Sequence, residues 1–144
     1  MMEDSVNNRA SILAVGTFLL AAIGAVGCGS SSNNPAAPLS AFQPEIVNNV
    51  DNFQFQATAV ENVSAVVQYF WSNSGAQASI NHSSAVDSGT TVVQLFDANN
   101  VEVYNSALLA SGTPATTAGT AGNWRIRVTL TNVYGTLNFR AQKL

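Results

Sequence analysis

The chain has 144 residues, and its 5 Lys and Arg against 8 Asp and Glu give a formal net charge of −3. A mildly acidic chain without a basic run does not suit nucleic acid, which we therefore exclude as the expected partner. The only cysteine is Cys28, and the only histidine is His82. This composition excludes an internal disulfide and argues against a zinc site.

The first predicted element is an apolar run over residues 12–26, which ends at the small residue Gly27 and is followed at once by Cys28. The next residues, 29–35, are Gly, Ser, Asn and Pro. A short apolar core before a small residue is typical of a secretory signal, and the run is shorter than the roughly 20 residues of a spanning helix. The alternatives are an uncleaved membrane anchor and a signal followed by an unmodified cysteine.

The tetrad Ala25-Val26-Gly27-Cys28 resembles the lipobox of bacterial lipoproteins. The resemblance implies that residues 1–27 are a signal peptide, and that cleavage leaves Cys28 carrying acyl chains that anchor the protein in a membrane. Gly29, which stands where Asp would retain a lipoprotein at the inner membrane, implies the outer membrane. Several buried acyl chains make such anchoring effectively permanent.

Residues 28–44 form a predicted tether, because they are rich in Ser, Asn, Ala and Pro and carry no charge. Such a composition buries too little surface to fold and predicts a flexible or extended segment. The remaining residues, 45–144, suffice for one domain.

The domain is predicted to be all-β, because apolar and polar residues alternate with a period of two and no helical pattern follows residue 50. The predicted strands cover residues 53–57, 65–71, 76–80, 92–96, 101–104, 123–130 and 137–141. Seven to eight short strands predict a single antiparallel β-sandwich of jelly-roll type. The expected interior aromatics are Phe53, Phe55, Phe96, Trp124 and Phe139, with either Phe70 or the pair Tyr69 and Trp71.

The order of these strands resembles the bacterial pre-peptidase C-terminal domain family. The resemblance covers residues 60–142 and depends on segments 69–70, 76–80, 93–97, 122–128 and 138–140. It implies an accessory domain that acts in secretion, adhesion or binding of extracellular material, without catalysis.

No catalytic residue, metal site or cofactor is expected. His82 lies beside Ser83 and Ser84 and near Asp87, but a catalytic triad is defined by geometry, and no nucleophile-elbow motif is present. Calcium near Asp97, with help from the neighbouring Asn side chains, stays open, although Asp and Asn also form turns for their own reasons.

Two groups of residues are candidate binding sites. If residues 123–130 and 135–141 form a hairpin, Arg125, Arg127 and Arg140 share one exposed face, which predicts a site for an acidic glycan or lipid phosphate. Solvated or ion-paired arginines are the alternative. Trp71 and Tyr134 are candidates for stacking on a glycan, the alternative being a role in the core.

The sequence therefore predicts a lipid-anchored, exported lipoprotein that acts as a non-catalytic binding or adhesion module. The alternative is a structural envelope lipoprotein, or a subunit of a surface assembly, without a small ligand. An exposed edge strand over residues 53–59 would favour this alternative, because open edges recruit partners.

Overall fold

The structure, a computed structural model, describes residues 34–144, so the predicted signal peptide, Cys28 and the first tether residues lie outside the described residues. The prediction of an all-β domain is confirmed: six strands form one antiparallel sheet. The strands are β1 Glu45–Asn49, β2 Asn52–Asn73, β3 Ala78–His82, β4 Ala85–Phe96, β5 Glu102–Ser106 and β6 Gly122–Lys143, preceded by a 3₁₀ helix at Leu39–Phe42. None of the helical structure within residues 34–144 has the length and apolarity to cross a membrane.

The strand order is β1-β2-β6-β4-β5, and β3 pairs with the second half of β6. The final strand, β6, thus has β2 on one side, and on the other side β4 along its first part and β3 along its last residues. Most neighbours in the sheet are distant in the sequence. The strand at residues 53–57 is internal rather than an edge, since β2 pairs there with both β1 and β6. The edge-strand feature that would favour a structural role is therefore absent at those residues.

The two longest strands, β2 and β6, have 22 residues each and bend sharply in the middle. A straight strand of that length would span roughly 70 Å. Instead the ends of β2 meet, because the Asp51 N–H donates to the Ser72 carbonyl at 2.8 Å. Ladder irregularities at Ala57–Ala65 of β2, and residues in the left-handed region at Ala59, Asn62 and Asn132, mark the bend. Extra residues in a ladder bend a strand in this way.

The bend brings aromatic side chains from both halves of β2 together. Phe53 and Tyr69 lie 16 positions apart, yet their ring centroids are 5.4 Å apart, and Phe139 of β6 stacks on Phe55 at 5.5 Å. The fully buried Trp71 and Trp124 meet edge to face at 5.9 Å. These contacts fill one core with the inward-facing residues of every strand.

Several predictions about individual strands need correction. Seven to eight strands are not confirmed, because residues 53–57 and 65–71 belong to the single strand β2, and residues 123–130 and 137–141 to β6. The hairpin predicted over residues 123–141 is therefore wrong. Asn and Gly, which the sequence presents as turn residues, here form bulges inside continuous strands. Of the two options for the interior, the pair Tyr69 and Trp71 is correct, and Phe70 is exposed. The expectation that Phe96 lies in the interior is wrong, because Phe96 alternates with the buried Leu95 and lies under the Arg125 guanidinium on the other face of the sheet.

The last residues of the predicted tether pack against the domain. Leu39 is buried in the core, and the Ala37 N–H donates to the Asn62 carbonyl at 2.8 Å. The folded unit therefore begins before residue 45. One buried Leu within a segment rich in Pro, Ala and Ser is a weak sequence signal for a folded segment. Composition alone therefore suggested a flexible tether.

Candidate functional site

A groove of about 470 Å³ opens where β2, β4 and β6 bend. Its lining residues are Ala59, Val60, Glu61, Ala85, Asp87, Tyr134, Gly135 and Thr136. The groove coincides with the bulges of all three strands, which remain paired on both sides of Gly135. Gly135 has φ +127 and lies so close to β4 that a Cβ would stand 2.1 Å from the Ala85 carbonyl oxygen.

The groove combines an aromatic ring with two carboxylates. Tyr134 is 40% exposed, and Glu61 and Asp87 reach the same groove from β2 and β4. Ala59 forms part of the wall with φ +49, a conformation that costs a non-glycine residue about 1–2 kcal/mol. Strained backbone of this kind concentrates at binding sites. The carboxylates can accept hydrogen bonds from hydroxyl groups and repel anions.

Of the two residues expected to stack on a glycan, the structure exposes one. Tyr134 lies in the groove. Trp71 is fully buried, and its Nε1–H donates to the Asn49 carbonyl at 3.1 Å. The stacking role predicted for Trp71 is therefore wrong, because the second half of β2 directs this ring into the core.

The three arginines do not lie on one hairpin face. Arg125 and Arg127 project from the first half of β6, where they pair with the second half of β2 and with β4. Arg140 lies in the other half of β6, and its guanidinium donates to the Gln54 Oε1 at 2.9 Å. The structure thus brings together Arg125 and Arg127 and places Arg140 elsewhere.

The outward side chains of β2, β6 and β4 around these two arginines form a surface that we call the outer face. It is a regular grid in which each β6 residue lies between one residue of β2 and one of β4. The rows are Phe70, Arg125 and Phe96; Gln68, Arg127 and Gln94; Val66, Thr129 and Val92. The Arg125 guanidinium carbon lies 4.3 Å from the centre of the Phe96 ring, within the range of a cation–π contact.

His82 and its neighbours form a structural cluster. The Leu109 N–H donates to His82 Nδ1 at 3.3 Å, so Nε2 carries the proton and lies 2.7 Å from the Tyr104 hydroxyl. Ser84 Oγ is bonded to both backbone groups of Asn138 at 2.9 Å. Burial lowers the pKa of His82, so the ring stays neutral near pH 7. These contacts join β3 to β5 and to the loop that follows it. His82 and Ser84 hydrogen-bond to other residues and not to each other.

Asp97 organises the turn after β4. Its Oδ1 accepts the N–H groups of Asn99 and Val101, and its Oδ2 accepts that of Thr120. The Val101 N–H, followed by those of Thr120 and Asn99, holds the pKa of the carboxyl below its ordinary value against the opposing effect of burial. Within residues 34–144, no group of three or more His, Cys, Asp or Glu side chains is placed to hold a metal ion. Calcium binding near Asp97 therefore stays a hypothesis, whereas its carboxylate clearly holds the turn together by accepting backbone N–H groups.

Sequence reasoning missed Glu61 and Asp87 as partners of Tyr134, because the bulges that bring them together have no distinct pattern. It also missed Phe70, Gln68 and Gln94 around the arginines. A signal for these was available, since Val66, Gln68 and Phe70 form the second face of a strand whose other face is also apolar. An aromatic residue on the outer face of a sheet suggests a binding surface.

No protein-family model matches the chain, and no curated protein matches it at a significant level.

Proposed function

We propose that this protein is an exported, lipid-anchored lipoprotein, held at the outer membrane through Cys28, whose domain acts as a non-catalytic binding module or adhesin. The anchor is supported by the lipobox-like residues 25–28. The observation that carries the binding role is the groove that Tyr134, Glu61 and Asp87 line together. An exposed ring beside hydrogen-bond acceptors suits a neutral glycan, since the ring packs on the apolar face of a sugar while the acceptors bond its hydroxyls.

We also propose that the bent sheet is a sandwich of jelly-roll type, related to the pre-peptidase C-terminal family in architecture and accessory role. The contact between Phe53 and Tyr69, from the two halves of one strand, supports two packed layers.

Titration calorimetry of the full chain in mild detergent, with chitohexaose, cellohexaose and maltohexaose as probes, tests the binding role. We expect at least one oligosaccharide to bind. Tyr134→Ala should lower its affinity at least about tenfold, and Tyr134→Phe, which keeps the ring, should retain most of it.

Glu61→Gln and Asp87→Asn separate the ring from the acceptors. We expect each to weaken binding several-fold at unchanged Tm, because both carboxylates lie on an open groove. Binding of no probe, or binding that is equal in wild type and Tyr134→Ala, would contradict the groove as a glycan site.

Intact mass and detergent partitioning of the native protein test the anchor. We expect a chain that begins at Cys28 and carries acyl groups, and we expect Cys28→Ala to lose both cleavage and acylation. An uncleaved or unacylated wild type would refute the lipoprotein proposal without bearing on the groove.

A structural role in a surface assembly is the second candidate. Within residues 34–144, β1 pairs with β2 alone; Val47 of this strand is 41% exposed, and Val50, which follows it, is 66% exposed. Open apolar edges recruit other chains. Cross-linking in whole cells distinguishes the candidates: a discrete high-mass species that Val47→Lys abolishes would favour the assembly.

A further inference from the structure

We propose that the outer face is a second binding site, and that its ligand is an acidic polysaccharide with carboxylated sugars. The site goes beyond the groove and does not depend on it, since the groove is acidic and the outer face is basic. The argument starts from the charges of the face.

The two guanidinium groups of the outer face lack carboxylate partners within residues 34–144. The ion pair in this part of the chain joins Lys143 to Asp51, at 3.0 Å. Glu102, the nearest acid along the row of Phe96, is occupied by other groups: it accepts from Gln94 at 2.6 Å and from Asn105 at 3.2 Å. These neutral amides leave Glu102 charged, so the two guanidinium groups stand against one carboxylate at the edge of the outer face, and the balance of charge is positive.

Arg125 is held in place before any ligand arrives. Its guanidinium lies over the Phe96 ring, and its buried Nε has no hydrogen-bond partner. A guanidinium fixed on an aromatic ring loses less side-chain freedom on binding than a solvated one. Its geometry suits the two oxygens of a carboxylate, which it can bind bidentately.

The side chains around the arginines match a sugar chain. Phe70 is 63% exposed and lies directly beside Arg125, where it can pack on the apolar face of a sugar ring. Gln68 and Gln94 flank Arg127: Gln68 offers an amide donor and acceptor for hydroxyls, and Gln94, whose Nε2–H donates to Glu102, offers its Oε1 as an acceptor. From strand spacing and rise, the grid measures roughly 10 Å by 13 Å, enough for about two sugar units.

A lipid surface fits the same charges less well. Insertion into a bilayer needs several apolar side chains that project together, whereas Arg125 covers the Phe96 ring, and the polar row of Gln68, Arg127 and Gln94 separates the exposed Phe70 from Val66. The observations thus favour a flat, hydrogen-bonding polyanion over lipid headgroups.

Binding of the full chain in mild detergent to immobilised polygalacturonate tests the proposal. Neutral dextran and vesicles of phosphatidylcholine with phosphatidylglycerol serve as comparison probes. We expect binding to polygalacturonate alone, with an affinity that falls as salt is raised.

The variants isolate the site. Arg127→Gln should lower the affinity for polygalacturonate, and the double variant Arg125→Gln with Arg127→Gln should lower it at least about tenfold. Phe70→Ala should lower it several-fold. The matched control is Arg140→Gln, which removes the same charge from the other half of β6 and should stay within about twofold. Tyr134→Ala should also leave this binding unchanged, which separates it from the groove.

Equal losses in Arg140→Gln and Arg127→Gln would overturn the proposal, because they would indicate attraction by net charge alone. Absence of polygalacturonate binding, or binding to anionic vesicles in its place, would overturn it as well. The single change Arg127→Gln keeps the test valid if Arg125→Gln disturbs folding, since Arg127 is exposed.

Discussion

Gly135 is the residue at which β6 passes closest to β4. A Cβ there would stand 2.1 Å from the Ala85 carbonyl oxygen, in a backbone with φ +127. We expect Gly135→Ala to lower the free energy of unfolding by more than about 2 kcal/mol, because strain and a clash with backbone act together.

Gly112 is the matched control for Gly135. It has φ +123, but the nearest atom to its Cβ would be 3.9 Å away. We expect Gly112→Ala to cost only about 1 kcal/mol, from backbone strain alone. Similar losses for both variants in chemical denaturation would contradict the close approach of β6 and β4.

His82 predicts a dependence of stability on pH above the range in which carboxyl groups titrate. Burial lowers its pKa below 6.5 in the folded state. The unfolded chain therefore takes up the proton first as pH falls through about 6.5, so stability decreases from there down to the folded pKa and then levels. Denaturation of wild type and His82→Gln between pH 5 and 7.5 checks this.

His82→Gln should flatten the plot of unfolding free energy against pH in that window, by at most the slope that one bound proton produces. This holds whatever the stability of the variant at pH 7.5. An unchanged slope would mean that other groups cause the dependence. Tyr104→Phe, which removes the hydroxyl beside Nε2 but keeps the ring, should retain most of the slope because burial remains.

At the scale of elements, Asp51 connects the beginning of β2 with the ends of β2 and β6. Its carboxylate accepts the Ser74 N–H at 2.7 Å and the Ser74 hydroxyl at 2.8 Å, and pairs with Lys143 at 3.0 Å. The Ser74 N–H first, and Lys143 second, lower the pKa of Asp51. The stability that Asp51 contributes is fully present above its ordinary pKa of 3.8 and is lost as pH falls through its lowered pKa in the folded state.

We expect Asp51→Asn to lower Tm at pH 7 by a modest amount, well below the effect of Gly135→Ala, because the pair is partly solvated. The difference from wild type should shrink in acid, as pH falls below the ordinary pKa of 3.8 and through the lowered pKa of the folded state. Glu45→Gln, an exposed carboxylate on β1, is the control and should leave Tm at pH 7 unchanged. An Asp51→Asn deficit that persists in acid would point to lost hydrogen-bond geometry instead of lost charge.

The alternation of residues was enough to predict which face of most strands is buried. Trp124, Ile126, Val128 and Leu130 are all buried as the period of two requires. Alternation could not show that two pairs of predicted strands are continuous. Asn132 and Gly135 favour the left-handed region in a turn and in a bulge alike, so local sequence does not distinguish the two. The mistaken arginine hairpin follows from this ambiguity.

The candidate sites depend on the same limit. Tyr134 was identified because an aromatic residue in an apparent turn is conspicuous, but its partners Glu61 and Asp87 come from other strands. Arg125 and Arg127 were identified correctly as neighbours, since positions two apart in a strand share a face. Their aromatic neighbours, Phe70 and Phe96, required the pairing of β6 with β2 and β4.

At the scale of the whole molecule, Leu39 decides where the domain begins. It is 4% exposed and belongs to the core, although it lies within the predicted tether. We expect Leu39→Ala to lower the free energy of unfolding by about 2–5 kcal/mol, the usual range for a buried leucine. The measurement is denaturant unfolding of the full chain.

Leu109 is the control for Leu39, because it is 41% exposed. Leu109→Ala should cost less than about 0.5 kcal/mol. Equal and small effects for the two variants would return the start of the domain to residue 45.

The position of β6 at the centre of the sheet has a kinetic consequence. Most of the residues of β2 pair with β6, which follows it after about 50 residues of chain. The segment between the two strands must therefore close before most of the sheet can form. Topologies dominated by such distant pairings fold in milliseconds to seconds. Under the proposed export, with the N-terminus crossing first, β2 would lack its main partner until β6 had crossed, so the sheet could be completed only at the end of translocation.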